Sequence, residues 1–146
     1  AAAAGRSLGH MISSTGTAAP ALAADVFVRG EQRRRLDLSE FRGTWVVLAF
    51  AARPCDVLEL AGLEEAFAAD GAVVLAATHE EWREVENRYG TEQTVRFPIL
   101  IGVGERRRIT AIVDPDGVVR HAGPRRSARE TLGALETQLV SMARAA

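Results

Sequence analysis

The 146-residue chain contains no lysine: all 18 of its basic side chains are arginine. That absence excludes a phosphate-loop lysine and any Schiff-base chemistry. Cysteine is nearly absent as well. Cys55 stands alone, so the chain by itself can form no disulfide, no four-cysteine zinc site and no two-thiol C-x-x-C motif. Long apolar runs are missing; the longest, Trp45 to Ala52, is far too short to cross a bilayer as a helix. Nor is there an excess of either charge. The net charge of -1 offers no electrostatic argument for nucleic acid, and neither a nucleic-acid nor a membrane partner is expected. What is present, 47% hydrophobic and 25% charged residues over this length, suits one globular domain with enough chain to bury a core.

Ala1 to Thr15 are small and polar without periodicity, and His10-Met11 fits a junction between a vector-derived tail and a natural start. Residues 1–15 are therefore read as an unstructured tail or tag remnant and 16–146 as the domain. An export-signal remnant is the alternative, but no leucine-rich segment of the needed length is present, so a cytoplasmic location is expected.

The stretches Asp25 to Val28 and Arg34 to Asp37, flanking Arg29-Gly30-Glu31-Gln32, predict a β-hairpin with glycine in its turn. Leu38 to Gly43 reads as a short helical turn. Thr44 to Phe50 is almost continuously apolar and rich in β-formers, the pattern of a strand buried on both faces. Asp56 to Asp70 follows as an amphipathic helix carrying Val57, Leu60, Leu63 and Phe67 on one stripe and stopped by Gly71; Ala72 to Ala77 is a second buried strand. Strand, helix, strand makes a right-handed βαβ unit and a sheet that is at least partly parallel. A capping box at Thr78 to Glu81 opens a helix with Trp82, Val85 and Tyr89 at core-stripe spacing, ending at Gly90. Val95 to Ile101, containing Pro98, is the next extended run. Ile109 to Val113 and Val118 to His121 then form an antiparallel hairpin around Asp114-Pro115-Asp116-Gly117. Ser127 and Glu130 cap a last helix bearing Leu132, Leu135, Leu139 and Met142. The fold class is α/β, with a central mixed sheet, an N-terminal hairpin and helices on both faces.

A βαβ half followed by a ββα half is the order of the thioredoxin-like fold, and local segments resemble one branch of it. Gly16-Thr17-Ala18-Ala19-Pro20-Ala21-Leu22 resembles the G-x-x-A-P-D-F opening of peroxiredoxins and related redoxins, and Leu38 to Phe50 resembles their L-x-x-x-x-G-K-x-V-V-L-x-F stretch. Phe97-Pro98-Ile99-Leu100 resembles F-P-L-L, and Arg108 to Gly117 resembles R-x-T-F-V-I-D-x-D-G. These four pieces lie in register from about Gly16 to Gly123 and identify the chain with the alkyl-hydroperoxide-reductase, thiol-specific-antioxidant branch of redoxins. The resemblance implies an oxidoreductase of antioxidant type acting on a peroxide or a small thiol. It also implies catalysis at the junction of the central strand and the next helix, where a helix N-terminus lowers a thiol's pKa.

Cys55 lies at that junction, with Arg53 two residues before it, and Arg108 occupies the position of the family arginine that contacts the peroxidatic cysteine. On this reading Cys55 is the nucleophile and Arg108 the electrostatic stabiliser. The motif departs from the family's P-x-x-x-T-x-x-C: Ala52 stands three residues before Cys55 and Leu48 seven before, so the threonine and proline are both replaced. Counting forward from Phe50 places Cys55 at the first cysteine of a C-x-x-C with Leu58 in place of the second. Counting back from Glu59-Leu60 places Asp56 at the nucleophile position instead. Both alignments stay open at this stage, and the Asp56 carboxylate opposes thiolate formation next to it.

Each candidate also has a plainer reading. Cys55 can be a small buried hydrophobe, Arg108 one of three solvated arginines, Arg106 to Arg108, and His79 and His121 surface residues. Arg33 to Arg35 reads as a solvated run, with an anionic partner as the weaker option. No spacing suggests a metal site, and no cofactor is implied. The expected activity is thiol-dependent peroxidase or thiol-disulfide oxidoreductase chemistry through Cys55. Its expected reductant is an external thiol, a thioredoxin-like protein or Cys55 of a second subunit in a homodimer. The rival expectation is a redox-inactive thioredoxin-fold binding or scaffold protein.

Overall fold

The computed structural model describes residues 15–28, 31–89 and 95–145. The tail expected at residues 1–15 lies outside these apart from Thr15, as do Arg29 and Gly30 of the hairpin turn and the stop residue Gly90. The strands are β1 (Ala23–Val28), β2 (Glu31–Asp37), β3 (Trp45–Ala49), β4 (Ala72–Ala77), β5 (Ile99–Leu100), β6 (Ile109–Val113) and β7 (Val119–Pro124). The helices are α1 (Pro54–Gly62), α2 (Glu64–Ala69), α3 (Trp82–Tyr89) and α4 (Ala128–Ala145), with a 3-10 turn at Leu38–Phe41. One mixed sheet runs β2-β1-β5-β4-β3-β6-β7. The β3 strand is parallel to β4 and antiparallel to β6, β4 is parallel to β5, and the β1-β2 and β6-β7 pairs are antiparallel.

The central place of β3 follows from its sequence. All five of its residues are buried, which only a strand covered on both faces tolerates. Alternate side chains enter two cores. Trp45, Val47 and Ala49 face a cluster built with Val57, Leu60, Phe67, Val85, Tyr89 and Leu135, so all four α-helices pack on this side. Val46, Leu48 and Phe50 face a cluster closed by Leu22, Leu36, Leu38 and Phe41. Helical residues thus cover both faces, but the second is covered by the 3-10 turn and the N-terminal segment.

Local chemistry explains most boundaries. Asp37 caps the 3-10 turn by accepting from the Ser39 N–H, while the Glu40 carboxylate accepts the Asp37 N–H. In the β6-β7 hairpin the Asp114 Oδ1 accepts the N–H groups of Asp116 and Val118, and Gly117 adopts φ +83°, a region open to glycine.

Four details differ from the sequence expectation. The helix expected over Asp56 to Asp70 is two helices that part at Leu63, where Gly62 weakens the helix and the Leu63 N–H turns back to the Leu60 carbonyl. It also begins earlier, with Pro54 in its first turn. The extended run Val95 to Ile101 pairs only at Ile99–Leu100, since Pro98 has no N–H to give. The side-chain contact that opens α3 sits three residues later than the expected box, with Glu84 accepting the Glu81 N–H, while Thr78 Oγ1 accepts from Glu80.

Candidate functional site

The candidate site forms where β3 ends. Phe50 is held by the Ile109 carbonyl, and Ala51 takes φ +51°, unusual for a residue with a side chain. Ala52 is then fixed by the Ala77 carbonyl. This left-handed step lifts the chain off the sheet, and Pro54, with its preset φ and missing N–H, starts α1 at once. Arg53, Pro54, Cys55 and Asp56 are therefore consecutive at the helix N-terminus.

Cys55 is an exposed free thiol inside the first turn of α1. Asp56, one residue on, turns inward and is only 10% exposed in its side chain. Its Oδ1 accepts from Arg108 Nη2 at 2.6 Å. Its Oδ2 accepts from Arg125 Nη1 at 3.0 Å and from the Arg53 N–H at 2.9 Å. Burial raises the pKa of this carboxyl, but the Arg53 N–H, Arg108 and Arg125 together outweigh it and hold the group below its ordinary value.

Arg125 is the most enclosed member, with 4% of its side chain exposed. Besides Asp56 it donates to Thr110 Oγ1, to the Ile109 carbonyl and to the Phe50 carbonyl, joining the end of β3, the start of β6 and the start of α1 through one guanidinium. Burial lowers its pKa, and Asp56 opposes that. Arg108 lies across the sheet end on the same side, where its carbonyl accepts the Arg125 N–H, and its side chain is 37% exposed.

Both residues predicted for the site reach this end of the sheet, but they are not bonded to one another. Among the described residues the polar contact of Arg108 runs to Asp56, and no hydrogen bond joins it to Cys55. The side chain that meets the arginines is the one selected by counting back from Glu59-Leu60. Arg125 was not singled out by sequence; it stands 69 residues from Asp56, and no local signal marked it. Tyr89, read as a core residue, is buried and lies within electrostatic range of Cys55 and Asp56; burial foremost pushes its pKa up to about 12.

The remaining candidates fall elsewhere. His79 is exposed and His121 half-buried, and Trp82 packs on Phe27 with ring centroids 5.3 Å apart. The side chains of Arg33 and Arg34 lie outside the described residues. Among the described residues no group of three potential ligands could hold a metal ion, and no helix is long and apolar enough to cross a membrane.

No family model matches the sequence, and no curated protein matches it either. Solved structures do. The Enterococcus faecalis AhpC structure superposes with a TM-score of 0.76 at 16% identity, covering 90% of this chain and 95% of that one. The mitochondrial 2-Cys peroxiredoxin of Plasmodium falciparum gives 0.72 at 18% identity, covering 86% and 94%. Mycobacterium tuberculosis AhpC gives 0.73 at 17% identity, covering 86% and 93%. The chain has a peroxiredoxin-like thioredoxin fold over nearly its whole described length.

Proposed function

We propose that residues 16–146 form a one-cysteine redoxin domain whose chemistry is thiol-disulfide exchange at Cys55, with peroxide reduction a minor activity at most. One observation carries this reading: the exposed thiol sits in the first turn of a helix beside a carboxylate bound by two guanidiniums. Asp56 alone would repel a thiolate at Cys55. With Arg108 and Arg125 both on it, the cluster carries one positive charge in excess, which offsets that repulsion. Arg108 stabilises charge at the site by neutralising Asp56.

In the proposed reaction the Cys55 thiolate attacks one sulfur of an external disulfide, forming a mixed disulfide and releasing the other half as thiolate. A second external thiol then attacks the mixed disulfide and returns Cys55 to its reduced state. With one cysteine in the chain, that reductant is a low-molecular-weight thiol or a thioredoxin-like protein; Cys55 of a second subunit would form an intersubunit disulfide that one of these must then reduce. A cytoplasmic setting, where thiols are kept reduced, suits this cycle. Attack on a peroxide has less support. The arginine hydrogen bonds that would polarise a peroxide go to Asp56, and the buried methyl of Ala52 offers no hydroxyl.

The test is intact-mass analysis after incubation with neutral hydroxyethyl disulfide, alongside a peptide of sequence Ala-Arg-Pro-Cys-Asp-Val. A Cys55 adduct forming faster than on the peptide, and absent from Cys55→Ser, is expected, with hydrogen peroxide turnover close to that of Cys55→Ser. A thiol reacting no faster than the peptide would refute the exchange reading. That result would favour a redox-inactive binding or scaffold protein, a second reading that rests on Asp56 filling the site where the arginines converge.

A further inference from the structure

We infer that the cleft between Arg107, Arg108, Ile109, Gly123 and Pro124 binds a small organic anion, a carboxylate with an apolar body. The cleft measures about 290 Å³ and opens where β6 begins and β7, an edge strand, ends. The pairings of Ile109 with Pro124 and Thr110 with Gly123 set its floor. At Gly123 a side chain would meet nothing within 4 Å, so the space over the backbone is open. Charge and apolar surface divide along the walls. Arg107 is steered by its own N–H and Nε, both donating to Glu105 Oε1, while 57% of its side chain stays exposed.

Arg108 gives Nη2 to Asp56, yet among the described residues its buried Nε meets no acceptor. Nε and Nη2 form the edge of a guanidinium that faces a carboxylate; Asp56 holds Nη2, and Nε is the donor left over. A donor left so carries its desolvation cost until an acceptor arrives. Ile109 and Pro124 line the rest and call for a ligand with an apolar portion beside its charged head. This binding needs no thiol; it shares with the Cys55 chemistry only the Arg108 guanidinium.

The experiment is a two-dimensional ¹⁵N–¹H NMR titration of the full chain with benzoate at ionic strength held constant by sodium chloride, with benzamide as the uncharged isostere. The Arg108 Nε–H and Gly123 amide signals are expected to move saturably with benzoate and to stay still with benzamide. Gly123→Val, which fills the cleft, and Arg107→Gln should each weaken binding about tenfold or more, while Cys55→Ser should bind as the unaltered chain does. Circular dichroism verifies that the variants are folded. Shifts that fail to saturate, that chloride or benzamide reproduces, or that persist unchanged in either folded variant would overturn the inference.

Discussion

Replacing Asp56 by asparagine keeps the shape of the side chain and removes its charge, and the consequence can be worked out from the two guanidiniums it faces. Unit charges 4 Å apart attract by about 1 kcal/mol in water and about 4 kcal/mol in the partly screened environment near a protein surface. Arg108 makes the shorter contact, 2.6 Å against 3.0 Å, but its side chain is 37% exposed and that of Arg125 only 4%. Burial should decide over distance. A double-mutant cycle with Arg125→Met is expected to give a coupling of about 2–3 kcal/mol, and one with Arg108→Met less than about 1 kcal/mol. Because Arg125 keeps Thr110 and two carbonyls as acceptors, Asp56→Asn alone should cost about 3 kcal/mol, read by urea unfolding followed by circular dichroism. The pH dependence has a definite sign. The folded-state pKa of Asp56 lies below its ordinary value of 3.8, so the unfolded chain binds the extra proton first as pH falls. The stabilisation is complete at neutral pH and is lost through the acid side of 3.8. The gap between wild type and Asp56→Asn should therefore be flat at neutral pH and close in acid. A gap under about 1 kcal/mol at neutral pH, a gap that persists in acid, or an Arg108 coupling as large as that of Arg125 would refute the reasoning.

Three other outcomes are expected. Tyr89, the only tyrosine, should show tyrosinate absorbance in the native state only near its raised pKa of about 12. Since the unfolded phenol ionises at the ordinary value of 10, stability should fall as pH rises between the two. Asp114→Ala removes the buried carboxylate that accepts the Asp116 and Val118 N–H groups and frees Arg120; a loss of about 2–3 kcal/mol is expected in urea unfolding. The Glu59 carboxylate accepts the Ala128 N–H at the first residue of α4. Glu59→Ala should cost about 1 kcal/mol and quicken hydrogen exchange at Ala128 and Thr131 while leaving β3 unaffected.

The parts of the fold that could be read from sequence are those whose cause lies within a few residues. The unbroken apolar run of β3, the Asp114 to Gly117 turn and the Leu135 stripe each record their environment in their own spacing. Helix starts were read less well, since the first turn of α1 depends on Pro54 and on the left-handed step at Ala51 before it. Arg125 could not be found at all, because its four acceptor residues come from three distant segments of chain.

The sequence by itself determined that the molecule has a single thiol, no lysine, a central buried strand and a helix starting just after it. Composition and short-range periodicity are enough for that. Which neighbour, Cys55 or Asp56, would meet the arginines was decided only by the tertiary structure. Successive residues on a helix point about 100° apart, so the same turn that sends Asp56 inward leaves Cys55 facing solvent. The partners that hold Asp56 arrive from 52 and 69 residues away, carried there by the pairing of β6 and β7 at the end of the sheet.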